Sequence, residues 1–597
     1  MPIQQTLPSL PQEKLTKLRL LMQQEGLQGL LVPSSDPYLS EYPPAHWQTR
    51  AWLTGFHGSA GSVLITLEKA ALRTDSRYWI QAEKNLQGTG IDLIKAGAPH
   101  APSTTEWFAQ HLPEKSKVGY CPEFFSLQED RTLQTELGAL GLEVSHTRDL
   151  VDDIWLDRPS IPKTPVKSRQ AGSQNVATKL EALRLEMLKH SVANFVSMTL
   201  DDIAWVTNLR GEDIAYNTVF VSRLIVTQQH AWLFINPDRL EQKTIDALRS
   251  EGVGIRSPEH FPSALSSLKG LTWIDPQHLN AAVAHLIPTE LFEQLSPLSL
   301  AKSRKTSGEI QTIREAMLQD GIALVEFYAD LQRRLDNHER LTELDVVELL
   351  LKARQKQPDF IIDSFATIAA FGPHAALPHY TPDPQQNATL TQGLLLIDSG
   401  GQYTGGTTDI TRMFAVGQLS DEERFDTTMV LKAMIHLAQA IVPAGTSGAQ
   451  LDVFARAQLW QQGYDFGHGT GHGVGYGLSV HEGPFYISPR AMAGQELGLH
   501  EGIVVSDEPG LYKEGQWGIR IENLILATHV FEKNAVDYLG FETLTLCPID
   551  VRTLDPKRLT EEEKDWLNHY HDHVRSQLAP RVSDIARQWL INATAPL

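Results

Sequence analysis

Cysteine is nearly missing from this sequence: Cys121 and Cys547 are the only two in 597 residues. Two thiols cannot build a disulfide scaffold or a cysteine-based zinc site. Any metal chemistry must therefore rest on histidine and carboxylates. Long apolar runs are missing too, and none approaches the roughly 18 residues needed to span a bilayer. The opening MPIQQTLPSLPQEK has no basic stretch followed by an apolar one, so no secretory signal is expected. The expected compartment is the cytoplasm. Basic charge is in short supply, with Lys+Arg 52 against Asp+Glu 72, a net of −20. That balance argues against broad polyanion binding, so neither nucleic acid nor membrane is expected as a partner. A content of 42% hydrophobic and 21% charged residues excludes a disordered, collagenous or coiled-coil chain.

What is present reads as helices and strands in alternation. PQEKLTKLRLLMQQEGL, 11–27, has helical apolar spacing, and GLLVP after it reads as a strand. WLTGFHGSAGSVLITLEKAALRTDSRYWI reads as strands joined by glycine and charged turns. The Pro- and Ser-rich stretch 158–174 reads as a linker, and a second helix is expected from about 177 to 194. The earlier pattern then returns. WLTGFHG at 52–58 matches WVTNLRG at 205–211, and LIT at 64–66 resembles IVT at 225–227. The two regions read as copies of one module. A polar junction, AKSRKTSGE, opens a long helical stretch, and Thr342 is placed to cap a further helix. The tail after 541 ends in a helix pair. Its Trp566, Leu567, Leu578, Ile585, Trp589 and Leu590 must pack on the body or on a partner, whereas His569, His571 and His573 read as solvated.

Three segments carry chemistry. In LLLIDSGGQYTGGTTDITRMF, an apolar strand ends in Asp398 and the next carries Asp409. Read alone, these are either two turn aspartates or a carboxylate pair whose repulsion a bound cation would remove. GHGTGHGVGYGLSVHEGP gathers His468, His472 and His481 among glycines that let the backbone approach a ligand or another chain closely. The spacing of the first two is that of a zincin helix, but the glutamate of that motif is missing. VVSDEPGLYKEGQWGIRIENL places Glu508 before a Pro-Gly turn and sets Arg520 and Glu522 on one face of a strand. Taken together, Asp398, Asp409, Glu508 and Glu522 supply four negative charges, matching two divalent cations, and His472 adds an imidazole. Such an oxygen-rich set suits Mn²⁺, and also Co²⁺, Fe²⁺ or Zn²⁺.

In order and spacing these segments resemble the pita-bread metallopeptidases, and the whole chain resembles the long, three-domain Xaa-Pro aminopeptidases (aminopeptidase P). The resemblance implies an α/β and α+β fold, with two related small α/β modules followed by a pita-bread catalytic domain. The boundaries are then 1–157, a linker at 158–174, 175–302, 303–540, and a C-terminal helical extension at 541–597. It implies a dinuclear aminopeptidase that releases the N-terminal residue from peptides with proline second, using a water activated between two divalent metals, most suitably Mn²⁺. By the same resemblance Asp398 binds one metal, Asp409 and Glu522 bridge both, and His472 and Glu508 complete the second site. His379, in PHYTPD, and His468 would line the substrate pocket and take part in catalysis. His481 would hydrogen-bond the scissile carbonyl or the leaving proline nitrogen, and Arg520 would organise Glu522. Arg77, in TDSRYW, would contact substrate across a homodimer, although Ser76 stands where the family has glycine. His374 is an extra histidine with no family counterpart. Two further readings belong to the same fold: a prolidase, which cuts Xaa-Pro dipeptides and usually has one N-terminal module, and a metal-free pita-bread binding protein, which lacks the full ligand set.

Overall fold

A computed structural model describes residues 10–169, 172–384, 387–491, 494 and 497–597. Residues 1–9 of the segment read for a signal, and Gln170 and Ala171 of the expected linker, lie outside the described residues. The chain forms two compact units. One comprises residues up to Ser168, Asn175–Ala215 and Val219–Pro297. The other comprises Leu298–Leu597 with the short segments Arg169–Gln174 and Tyr216–Thr218.

The first unit contains two six-stranded sheets of one topology. In the first, Gly29–Val32 pairs antiparallel with Ser62–Thr66, which pairs antiparallel with Ala70–Thr74. Asp92–Lys95 lies parallel beyond Ala70–Thr74, while Lys117–Tyr120 and then Glu143–His146 lie parallel on the other side. In the second, Asn194–Ser197, Arg223–Thr227, Ala231–Phe234, Val253–Arg256, Thr272–Ile274 and Leu291–Glu293 repeat that order and those directions.

The repeated motif has a physical cause. WLT and WVT end short helices, Thr49–Thr54 and Leu200–Thr207, rather than forming strands. The residues after them, Gly55 (φ 73°) and Asn208 (φ 52°), are left-handed caps, a conformation open to glycine and tolerated by asparagine. Lys14 Nζ donates to the Trp52 carbonyl and stands over its ring; Lys179 does the same to Trp205. Arg19 Nε donates to the Thr66 carbonyl, and Arg184 Nε to that of Thr227. The expected duplication is therefore present down to individual side chains.

The second unit is the pita-bread domain. A central three-stranded antiparallel sheet joins Ile368–Phe371, Gly393–Ser399 and Ile410–Val416. A second sheet, six-stranded, includes Gly471–Gly473, Glu482–Ile487, Val504–Asp507, Asn523–Lys533 and Val536–Thr543. Helices Ser307–Asp336, Glu343–Arg354, Asp421–Ala438 and Gly448–Trp460 accompany them. Each of these helices begins with a reciprocal cap: Thr306/Glu309, Thr342/Asp345, Ser420/Glu423 and Ser447/Gln450. Each cap contributes about 1 kcal/mol. The Asp421–Ala438 helix buries Val430, Leu431, Ala433, Met434, Ile435 and Leu437 on nearly every side, as a helix enclosed by core must.

The tail helices, Glu561–Leu578 and Asp584–Ala593, pack on this same core. Leu567, Leu578 and Leu590 are buried, Trp589 stacks on Tyr328, and Ile585 stays exposed. His569 and His573 are exposed as expected, but His571 is 1% exposed. Its Nε2 accepts from the Ile549 amide. The alternation of histidines along the chain hid which one the helix turns inward.

Candidate metal centre

Asp398 is the penultimate residue of the strand Gly393–Ser399 and pairs in register with Thr411. Asp409 immediately precedes the neighbouring strand Ile410–Val416. His472 is the middle residue of Gly471–Gly473, and Glu508 follows Val504–Asp507. Glu522 sits at the junction of strands Trp517–Arg520 and Asn523–Lys533. The glycines flanking His472 are sterically required. A Cβ on Gly471 would stand 1.9 Å from the Ser506 carbonyl, and one on Gly473 would stand 2.3 Å from that of Glu482.

These elements bring the singled-out residues together. His472 Nε2 lies 3.5 Å from Asp409 Oδ2 and 3.3 Å from Glu508 Oε1. Asp409, His472 and Glu522 offer ligand atoms all within 4.8 Å of one another. Arg520 Nη2 donates to Asp398 Oδ2 at 2.5 Å, and its Nε donates to Thr411 Oγ1 at 3.2 Å. Thr411 Oγ1 in turn donates to Glu522 Oε2 at 2.8 Å. His468 Nε2 lies 2.7 Å from the Tyr512 hydroxyl, which accepts from Arg520 Nη1 at 2.7 Å. The His481 ring stands edge-on to that of His472, centroids 4.4 Å apart. The next residue, Glu482, is buried between Lys302 and Lys305. His379 is half-buried, and the carbonyl of Pro378 before it accepts from Arg520 Nη2 at 3.4 Å. His374 turns instead to Glu343. Arg77 belongs to the other unit, where it makes a bidentate pair with Asp75.

The electrostatics are those of a cation site. Asp409 (4% exposed) and Glu522 (1%) are pushed well above the usual carboxylate range by burial and by neighbouring carboxylates. Asp398 is also raised by burial, against the pull of Arg520. Burial acts on Glu508 in the same sense, but the hydrogen bond and charge of His472, together with His468 and Arg520, outweigh it and take Glu508 down to about 2. Burial lowers His468 to about 4, which keeps its ring neutral. Asp398 Oδ1 is buried with no hydrogen-bond partner among the described residues. Four carboxylates against one guanidinium, with an orphaned oxygen among them, fit divalent cations.

Residues not marked by the sequence complete the centre. Ser506 Oγ accepts from the His472 amide and donates to Glu508 Oε1. Thr411 links Arg520 to Glu522, and Tyr512 links Arg520 to His468. Tyr512 and Arg520 are diagonal neighbours in the hairpin where Gly510 faces Arg520, a pairing readable once that register is known. Arg412, fully buried, donates to the carbonyls of Glu522, Cys547 and Pro548 and to the Tyr570 hydroxyl. It ties the tail to the backbone of a central acid.

Comparison with known proteins agrees over the whole chain. The description "Metallopeptidase family M24" matches residues 311–529, and "Creatinase/Prolidase N-terminal domain" matches 14–154 and again 157–309. "C-terminal region of peptidase_M24" matches 537–597. Aminopeptidase P2 of Arabidopsis thaliana is 36% identical across 98% of this chain and 88% of its own length. A probable Xaa-Pro aminopeptidase P of Botryotinia fuckeliana is 38% identical across 98% and 93%. The chain belongs to the aminopeptidase P family of metallopeptidases. A solved member, the X-prolyl aminopeptidase of Caenorhabditis elegans, is 33% identical and superimposes with a TM-score of 0.93 over 98% of this chain and 100% of its own. That protein is a cytosolic enzyme with a di-nuclear active site. The similarity to this family runs through both N-terminal modules as well as the centre.

Proposed function

We propose that this chain is a dinuclear metal-dependent Xaa-Pro aminopeptidase, removing the first residue from peptides with proline second. The observation that carries the reading is the uncompensated carboxylate cluster around His472, set in a chain similar to aminopeptidase P from end to end. Asp398, Asp409, His472, Glu508 and Glu522 would hold two divalent ions. When bound, the ions supply a water that is nucleophilic at neutral pH and polarise the scissile carbonyl. The chain's own side chains do the rest. Arg520 and Thr411 fix the orientation of Asp398 and Glu522. His468, neutral and held against Tyr512, lines the substrate side together with His379. His481, beside His472, offers a hydrogen bond to the carbonyl or the departing proline nitrogen.

Several finer assignments belong to the same proposal. Manganese is the favoured metal because the donors are mostly carboxylate oxygens. A cytoplasmic location accords with two buried, unpaired thiols. The chain acts as a homodimer in which Arg77 contacts substrate. The division is 1–157, 158–174, 175–302, 303–540 and 541–597. Among the described residues, no helix is long and apolar enough to cross a membrane.

The deciding experiment offers Arg-Pro-Pro-type peptides, Xaa-Pro dipeptides and Met-Ala peptides, with and without added Mn²⁺ and after chelation. Arginine release from the first substrate, lost on chelation and restored by Mn²⁺, is the expected result. Cleavage of dipeptides alone would favour a prolidase. A preparation free of divalent metal and unchanged by chelator would defeat the enzymatic reading.

A further inference from the structure

The loop that carries His379 is fastened by a single buried carboxylate. Glu343 is the first residue of the helix Glu343–Arg354, and its side chain is 0% exposed. Its oxygens accept from four places in the chain. The Phe371 amide donates to Oε1 at 2.7 Å, and His374 Nδ1 lies 2.9 Å from the same oxygen. The Tyr380 hydroxyl and the Ala388 amide each donate to Oε2 at 2.7 Å. His374 and Tyr380 stack on each other, centroids 4.5 Å apart. The acid therefore grips the segment 371–388 at its start, inside its turn, immediately after His379 and at its far end.

The start and the middle of this grip lead to the metal centre. Phe371 ends the strand Ile368–Phe371, whose first residue pairs with Asp398. Between the two aromatic anchors lie Pro378, whose carbonyl accepts from Arg520, and His379. The turn is also packed closely on the neighbouring hairpin, since a Cβ on Gly518 would meet the Ala375 carbonyl at 1.7 Å. Four donors converge on this one carboxylate. Satisfying them is obligatory, because a buried acceptor left unpaired is costly.

We propose that Glu343, acting through His374 and Tyr380, is a positioning residue that sets where His379 meets the substrate. The role rests on the aminopeptidase reading above and deepens it. His374, which has no counterpart in the family motif, is one of the struts. Glutamine at 343 keeps the size of the side chain but turns one acceptor into a donor facing donors.

The test is a double-mutant cycle on the metal-loaded full chain, with an Arg-Pro-Pro peptide as substrate. Glu343→Gln is expected to lower kcat/KM by about 10- to 100-fold, the scale of a misplaced catalytic group. Metal content should stay at the wild-type level. His379→Ala alone should lower kcat/KM comparably. In the His379→Ala background Glu343→Gln should cost less than about two-fold more, because groups acting as one unit are non-additive. Should Glu343→Gln fail to fold, Tyr380→Phe and His374→Ala, each removing one strut, take its place in the same cycle. Full activity in the single variant, additive losses, or loss of metal would each overturn the positioning role. A wild-type protein inert toward the peptide would instead remove the aminopeptidase reading.

Discussion

The strand Gly393–Ser399 separates two buried charge clusters. Asp398 faces the cluster of Asp409, Glu508, Glu522, His472 and Arg520. The next residue, Ser399, points the other way and accepts from Arg354. There Arg354 Nε donates to Asp320 Oδ1 at 2.8 Å, and Tyr403 donates to the same oxygen. Asp363 lies 3.9 Å from the guanidinium. Both clusters are largely secluded from water, but their excess of negative charge differs. The Arg354 cluster sets two acids against one guanidinium and a donating hydroxyl. The Asp398 cluster sets four acids against one guanidinium, and pushes two of its members far above their usual range. The larger excess, three negative charges against one, marks the side suited to divalent cations.

Variants on the two faces should separate cleanly. Asp409→Asn or Glu522→Gln should lower turnover by at least about 10²–10³-fold, as deletion of an electrostatic group at a reacting centre does, and should reduce bound metal. The metal-stripped form of either variant should melt no lower than the stripped wild type, since a repulsion has been relieved. Elemental analysis with kinetics checks both; normal rates at full metal occupancy would erase the contrast. Arg354→Met should behave oppositely. It leaves Asp320 buried without its cation, a loss of about 3–5 kcal/mol, while kcat/KM per folded molecule stays within about two-fold. Denaturant melts beside active-site-titrated kinetics measure this.

A neutral buried group gives an intermediate case. Burial lowers His571 from 6.5 to about 4, so the folded protein holds it uncharged. The unfolded chain takes up its proton as pH falls below 6.5. Stability is therefore lost between pH 6.5 and 4, amounting to about 3 kcal/mol when complete. His571→Asn, which keeps an acceptor for the Ile549 amide, should flatten that slope by one proton in melts recorded across this window. An unchanged slope would show that His571 is not the group responsible. The smallest effect belongs to Ser399→Ala. Removing one acceptor of Arg354 should cost about 1 kcal/mol and leave kinetics untouched, although the neighbouring residue faces the centre.

The sequence disclosed patterns that are local. Gly55 and Asn208 sit at one motif position because both accept a left-handed cap, so the duplication could be read from seven letters. Asp398, Asp409, His472, Glu508 and Glu522 stood out because acids and a histidine gather in short Gly-rich segments. Glu343, Thr411, Tyr512 and Arg412 did not stand out. Each acts on a partner brought close only by the fold, and each looks locally like an ordinary helix or strand residue. WLT reads as a strand in the sequence because a helix of 6 residues shows too little of its period to be told from alternation. The burial of His571 escapes the sequence for a similar reason: it depends on which side of the tail helix meets the core.

Arg412 sets an order of events in biosynthesis. Its guanidinium grips the carbonyl of Glu522 but also those of Cys547 and Pro548 and the hydroxyl of Tyr570. A ribosome delivers every candidate metal ligand before it delivers those three acceptors. Until they leave the exit tunnel, this buried cation has only the acceptors of Thr411, Glu522 and Asn523, half of its six. The nascent chain thus carries a complete set of ligands without a finished peptidase. A chain clipped after Thr545 returns to that condition: it keeps every candidate ligand and leaves Arg412 without its acceptors at Cys547, Pro548 and Tyr570.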